Sequence, residues 1–485
     1  MENVDIIYRS ENYRDDIVID YISEDSRDLK QNTCFICIEG RKTDSHKLIH
    51  ELPINPSLII ANRQLNTTIP YVIVYNTKQA LSRIAHNFYQ KPSHFLEIIA
   101  VTGTDGKTTT ATIIRSLLNL YSDCAYIGTN GFQTKYFSIE TGLTTPKPIY
   151  LHKYLKRCVK DRIPFVSLEA SSQGIHEHRL DDVSISRAVF TNLTHEHLDY
   201  HGTLDNYFNC KLEIFKRLPD TGYAIVCLDQ EEYARRIMDA TQAHVLTYGL
   251  HQQAMFRYED VRTSFEKTTF TLVTPEKTYR NIQTNLFGDY NVSNITAALA
   301  VIYSYGLDLD LAIEKLRSLE PIEGRMVMID TEDGLKVIVD FAHTPNALES
   351  LLSNIRSVSH HGRILLVFGS AGERDVTKRP LMGQIAEKWC DRIFITNEDP
   401  KSEDPIDIIE DIYEGIRNPL KTEMILDRKK AIRKAIREAR PGDIVVITGK
   451  GNENIQQFRD YSVIHNDIVT SMETLRLRTQ LFRPI

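Results

Sequence analysis

Residues 97–120, EIIAVTGTDGKTTTATIIRSLLNL, constrain the fold more than any other stretch, because an apolar run, a glycine turn and a helical pattern follow one another without a gap. Residues 98–101 read as a strand buried on both faces, the habit of a parallel sheet, and Ile113, Ile114, Leu117 and Leu118 recur at helical spacing. Strand, loop and helix in that order frame a phosphate loop. Gly103 and Gly106 free the backbone around Thr104 and Asp105 to curl, so that consecutive N–H groups point at phosphate oxygens. Lys107 adds a positive charge, Thr108 a hydroxyl for a magnesium ion, and Thr109 completes the string. The longer form of the pattern wants a glycine where Val101 stands, but the shorter form keeps the mechanically required parts. A chance Gly-Lys-Thr in a surface turn would lack this strand and this helix, so the loop is expected to hold the phosphates of a nucleoside triphosphate.

At 485 residues the chain is too long for one core and suggests about three domains of ~150 residues. A net charge of −7 argues against nucleic-acid binding, which leans on a basic face. No apolar run approaches ~18 residues and the first nine carry no signal-peptide core, so a cytoplasmic protein without a membrane partner is expected. Seven scattered cysteines are poor material for a disulfide framework. Cys34 and Cys37 lie three apart in an apparent strand, hence on opposite faces, and are expected to be buried thiols rather than a metal or redox pair.

In chain order, residues 1–92 mix short β-like runs (33–38, 58–61, 71–75) with a helical pattern over 78–89, a small α/β domain. Residues 93–318 carry the phosphate loop and polar clusters at the ends of apolar runs. Glu169 follows the run 165–168, at the strand end where open α/β sheets place ligands, and can hold magnesium or simply cap a turn. His195, His197, Asp199 and His201 alternate after the run 188–191; alone they would suit zinc, but a nucleotide site calls for oxygen-ligated magnesium. Asn291 and Asn294 share a helix face and can read an adenine edge or cap the helix. Residues 319–485 alternate strands (337–340, 364–368, 393–396, 444–448) with helical runs, a βαβ series that predicts a parallel, Rossmann-like sheet. Polar loops follow each of those strands, on the edge where a ligand sits.

Taken in order, the strings Asp25-Ser26-Arg27, Thr102–Thr109, Leu143-Thr144-Thr145-Pro146, Glu169-Ala170-Ser171-Ser172, Thr191-Asn192-Leu193, His197-Leu198-Asp199-Tyr200-His201, Asn291-Val292-Ser293-Asn294, Gly324-Arg325-Met326, Asp340-Phe341-Ala342-His343, Arg379-Pro380-Leu381-Met382 and Gly449-Lys450-Gly451 resemble the Mur ligases nearly end to end, and among them the members that add the third residue of the peptidoglycan stem peptide. The resemblance implies three α/β domains: 1–92 for the UDP-sugar, a central P-loop ATPase-like parallel-sheet domain at 93–318, and a Rossmann-like amino-acid domain at 319–485. It implies that ATP drives attachment of an amino acid to UDP-MurNAc-L-Ala-D-Glu through an acyl phosphate; a monomer is expected. Lys107 and the loop would hold the phosphates; Thr108, Glu169 and His197 would hold magnesium; Lys211, carbamylated by CO2, would help position it. Ser26, Thr144, Thr145, Ser172 and Arg179 would bind the UDP-MurNAc-dipeptide. Asn291, Asn294, Arg325, Asp340 and His343 would lie by the nucleotide, and Arg374, Asp399, Lys401, Gly449 and Glu453 by the amino acid.

Three departures bear on substrate choice. The family's usual Asp-Asn-Pro-Arg of diaminopimelate-adding members is Glu398-Asp399-Pro400-Lys401 here, its Gly-Lys-Gly-His-Glu ends Asn452-Glu453, and its phosphate-loop Asn is Asp105. Arg374 and Lys401 can face a distal carboxylate, while Glu398, Asp399 and Glu453 can hold an ammonium, so meso-diaminopimelate is favoured over L-lysine. The alternatives are a folylpolyglutamate or cyanophycin-type ligase, and a non-catalytic nucleotide-binding homologue.

Overall fold

The computed structural model describes residues 2–40, 43–359 and 361–481. Three sheets, one per expected domain, and a small hairpin organise them. The first sheet has the order Ile6–Arg9, Tyr71–Val74, Leu58–Ala61, Thr33–Ile36, Tyr21–Ser23 and is parallel except at Ile6–Arg9. Cys34 packs with Ile36 and Ile60 on one face, whereas Cys37 joins Phe35 and Ile59 on the other. Burial pushes both thiols up to about 12, so they are inert core residues, as their spacing suggested.

The central sheet is parallel over Cys124–Gly128, Phe165–Glu169, Glu97–Thr102, Arg187–Phe190, Tyr223–Cys227 and His244–Gly249, in that spatial order. The phosphate-loop strand lies in the middle, and its neighbours pair Glu169 with Val101 and Phe190 with Thr102. Three strands therefore end side by side, delivering their following loops to one place. The expected parallel sheet is there, Phe256–Thr263 still runs parallel to His244–Gly249, and antiparallel pairs extend it beyond both ends. Gly131–Gln133 and Ser138–Ile139 fold back beyond Cys124–Gly128, and a meander of Phe256–Thr263, Thr268–Val273 and Thr278–Thr284 closes the far edge. Phe256–Thr263 alternates more and less covered positions, as a strand half-covered by protein does.

The third sheet has the order Val327–Asp330, Lys336–Asp340, Ile444–Thr448, Ile364–Phe368, Arg392–Ile395, Thr422–Met424 and is parallel beyond its first pair. Ile364, Leu366 and Phe368 pack under one helical layer and Leu365 and Val367 under the other. Each such fully buried side chain contributes about 1.5–3 kcal/mol, which is why this run is apolar without interruption. No described helix is long and apolar enough to cross a membrane.

Candidate active site

The phosphate loop leaves its strand at Thr102 and enters the helix Lys107–Leu118 through Gly106 at φ 81°. Glycine is required at both turns. A Cβ on Gly103 would collide with Thr191 Oγ1, and one on Gly106 would lie 2.5 Å from Asn294 Oδ1. No side chain caps this helix, so its first N–H groups are left for an anion.

Two lysines meet at the loop. Lys107 Nζ donates to the carbonyls of Gly103 at 3.1 Å and Thr104 at 2.6 Å, and Lys211 Nζ donates to the same Gly103 carbonyl at 2.7 Å. Lys211, from the helix Leu204–Lys216, is 1% exposed and lies over the Tyr207 ring at 4.3 Å. Among the described residues no carboxylate forms an ion pair with either lysine. Burial pushes Lys107 down and Lys211 far down, and in Lys211 the Lys107 charge adds to the effect.

Glu169 is fully buried and held by four donors. Its Oε1 accepts from Tyr126 OH and, at 3.0 Å, from the Thr129 N–H; its Oε2 accepts from Thr108 Oγ1 at 3.0 Å and Thr129 Oγ1 at 3.3 Å. Thr145 Oγ1 donates to the Glu169 carbonyl at 2.7 Å, and Arg179 reaches the Thr145 carbonyl at 2.8 Å. Thr144 lies 3.1 Å from Thr129 through its hydroxyl, and Ser172 is buried at the start of the next short helix. Ser26 belongs to the turn after Tyr21–Ser23 of the first sheet and is half-buried.

The histidines diverge. His197 sits at φ 57° with its Nδ1 buried and without a hydrogen bond; burial, then the charges of Arg374, Lys107 and Lys211, push it down to about 2. His195 instead reaches Thr377 Oγ1 at 2.8 Å, and His201 lies against the Tyr207 ring. Among the described residues no group of three or more His, Cys, Asp or Glu side chains is arranged to hold a metal. The zinc pattern weighed from spacing is therefore absent.

On the nucleotide side, Asn291 and Asn294 are buried with their amides already in use: they bond each other at 3.2 Å, and Phe287 O and Thr110 Oγ1 take further positions. Arg325 reaches Thr108 Oγ1 at 3.4 Å and lies over Phe341. Asp340 accepts from the N–H groups of Met326 and Ala342 at 2.7 and 2.8 Å, and burial raises its pKa. Burial, then Lys378, push His343 down to about 3.

The third-domain loops form the other wall. Lys450 is fully buried and bridges Asp399 at 2.8 Å and Glu453 at 2.7 Å. Gly449, at φ 111°, leaves room for Glu398, whose buried Oε2 has no hydrogen bond and whose pKa burial raises. Arg374 and Lys401 have no ion pair among the described residues, and burial followed by the Arg374 charge lowers Lys401. Beneath them Arg428 and Asp467, both inaccessible, pair at 2.7 Å while Arg428 donates to Thr448 O at 2.8 Å, fixing the loop base.

Sequence reasoning did not single out Tyr126, Thr129, Lys378, Lys450 or Arg428, and it gave Glu196 no role. Only Lys450 and Glu196 lay within strings already of interest.

Comparison with known proteins gives consistent matches. The Mur ligase middle domain matches residues 101–302, and the Mur ligase, glutamate ligase domain matches 324–451. A UDP-N-acetylmuramoyl-L-alanyl-D-glutamate–2,6-diaminopimelate ligase of Geobacillus kaustophilus is 35% identical, covering 92% of this chain and 91% of its own. A solved structure of a ligase of the same description superposes at a TM-score of 0.66, with 30% identity over 95% of each chain. MurF ligase from Thermotoga maritima in complex with ADP, at 17% identity, shares the fold at a TM-score of 0.69 over 97% of this chain and all of its own.

Proposed function

We infer the reaction from one premise: the chain belongs to the Mur ligase family. It is an ADP-forming acid–amino-acid ligase of the UDP-N-acetylmuramoyl-tripeptide synthetase type, joining meso-diaminopimelate to UDP-N-acetylmuramoyl-L-alanyl-D-glutamate in peptidoglycan precursor synthesis. The observation that carries this is the pair of lysine side chains that meet on Gly103 O, paired among the described residues with no carboxylate, beside the Thr108–Glu169 oxygen pair.

A carboxylate is a poor electrophile toward an amine. The D-glutamyl carboxylate oxygen attacks the γ-phosphorus, the bond to the bridging oxygen breaks, and ADP leaves an acyl phosphate. The amine then attacks the acyl carbon, phosphate departs with the C–O electron pair, and the nitrogen loses a proton. Lys107 and the loop N–H groups hold the phosphates and offset the charge that shifts at the first step. Thr108 and Glu169 supply hard oxygen donors and His197 an unclaimed nitrogen, a set that suits magnesium completed by phosphate oxygens. With carbamylated Lys211 they would hold an ion that neutralises phosphoryl charge. Burial favours the neutral Lys211 amine, the form that reacts with CO2.

Ser26, Thr144, Thr145, Ser172 and Arg179 bind the UDP-MurNAc-dipeptide, and Asn291, Asn294, Arg325, Asp340 and His343 the rest of the nucleotide. Arg374 and Lys401, neighbouring cations without an ion pair among the described residues, suit a diacid's carboxylates. An L-lysine side chain would bring a third cation there. We take the domains as 1–92, 93–318 and 319–485, each built on one of the three main sheets. We take the protein to act as a cytoplasmic monomer. The test is phosphate release from ATP: it should require both UDP-MurNAc-L-Ala-D-Glu and meso-diaminopimelate, and a folded Lys107→Ala should lack it. Near-normal release by that variant would overturn the loop assignment.

A further inference from the structure

Glu196 and Lys378 form an ion pair that none of these roles uses. Both side chains are 3% exposed; Lys378 Nζ lies 3.1 Å from each Glu196 carboxylate oxygen and donates to His343 O at 2.9 Å. Glu196 follows the central strand Arg187–Phe190, whereas Lys378 opens the helix Lys378–Trp389 that packs on the third sheet. The pair thus spans two domains. Contacts on either side of it do the same: His195 to Thr377, and Asp105 in the phosphate loop to Thr344 Oγ1 at 3.0 Å and Asn346 Nδ2 at 3.2 Å.

The pair also bears on the reacting site, because Glu196 is the chain neighbour of His197. The carboxylate oxygen that Lys378 holds is 4.0 Å from His197 Nδ1, the nitrogen that has no hydrogen bond. A buried carboxylate left without its cation takes the nearest donor within reach, since an unpaired charge there is strongly unfavourable. With the third domain docked, that donor is Lys378. Without it, the closest substitute is the Nδ1 edge of His197.

We propose that Lys378 is a positioning residue: docking of the third domain sets its ammonium on Glu196, which keeps the carboxylate off His197 and leaves that imidazole edge to the nucleotide site. A chain whose Lys378 ammonium is missing then loses activity through a Glu196–His197 contact. The proposal rests on the ligase reading above.

The test compares the full-length wild type with Lys378→Met, Glu196→Gln and the double variant. Lys378→Met is expected to lose roughly 30-fold in kcat, and the double variant to recover about tenfold of that, because no bare carboxylate remains to capture His197. Glu196→Gln, which removes the ion pair but leaves no carboxylate to reach His197, is expected to stay within about threefold of wild type; if the pair were only a cross-link between domains, Glu196→Gln would be as slow as Lys378→Met, and that result overturns the proposal. Affinity for a fluorescent ATP analogue, with and without magnesium, gives a readout independent of turnover. It should weaken in Lys378→Met and return in the double variant; unchanged affinity across all four proteins also overturns the proposal. Should Lys378→Met not fold, Lys378→Gln with and without Glu196→Gln makes the same comparison, the double again expected to be the faster. A wild type that binds the analogue yet releases no phosphate with both substrates refutes the ligase reading, and the binding series still judges the pair.

Discussion

Tyr126→Phe isolates one of the four hydrogen bonds that present Glu169 to the phosphate loop. The hydroxyl donates to Glu169 Oε1 and accepts from the Asn130 N–H at 3.2 Å, while the ring is 1% exposed and keeps its packing in the variant. No cavity opens, so the loss is that of the polar contacts alone. A hydrogen bond to a charged group contributes about 1.5–3 kcal/mol, and the half-buried Asn130 N–H can find water, which places the cost near 2 kcal/mol. For a unit of this size that corresponds to a fall of roughly 4–8 °C in the unfolding midpoint. Three donors remain, so Glu169 keeps its place but swings more freely about the Thr108 side. Removing the support of a metal-holding carboxylate weakens metal affinity by about 10–100-fold, so the half-saturating magnesium concentration for phosphate release should rise by at least roughly tenfold. The assays are thermal unfolding by circular dichroism and a magnesium titration of phosphate release. A midpoint within about 1 °C of wild type together with an unchanged magnesium requirement would refute the idea that Tyr126 holds Glu169 for the metal.

Lys211→Ala should be nearly inactive and regain part of its turnover with short carboxylates that mimic a carbamate; wild-type turnover in the variant would sink the carbamate role. Lys401→Arg should lower the apparent KM for meso-diaminopimelate, since a planar fork binds a carboxylate more strongly than a point charge. Efficient use of L-lysine with none of diaminopimelate by the wild type would contradict that pocket assignment. His152 is fully buried with neither ring nitrogen hydrogen-bonded, and burial pushes it from 6.5 down to about 3. The unfolded chain therefore takes up a proton below pH 6.5 that the folded chain refuses until about pH 3, so stability falls with pH across that window, by about 2 kcal/mol at pH 5. Urea unfolding at pH 7.5 and pH 5 should show a smaller acid loss in His152→Leu, and an identical loss would rule this out.

The phosphate loop was legible because everything it needs lies within a dozen residues: the strand end, both glycines, the lysine and the helix start. Glu169 was legible for a related reason, since a carboxylate at the end of an apolar run is a local signal of a sheet's ligand edge. What escaped notice depends on partners far along the chain. Glu196 and Lys378 are 182 residues apart, and nothing near either one says that the two are buried together. The amides of Asn291 and Asn294 read equally as an adenine reader or a helix cap because their spacing fixes only a helix face, whereas the packing of that face on Thr110 decides what remains to bind a ligand. The same distinction explains Asp105. In the sequence, a carboxylate in a phosphate loop is a liability, because it faces the ligand's own charge. In the structure its oxygens accept from Thr344 Oγ1, Asn346 Nδ2 and Thr194 Oγ1. A carboxylate accepts at every lone pair, while an asparagine would have to turn an NH2 group toward one of these donors. The departure from the family's asparagine therefore suits the contact this chain makes between its loop and its third domain.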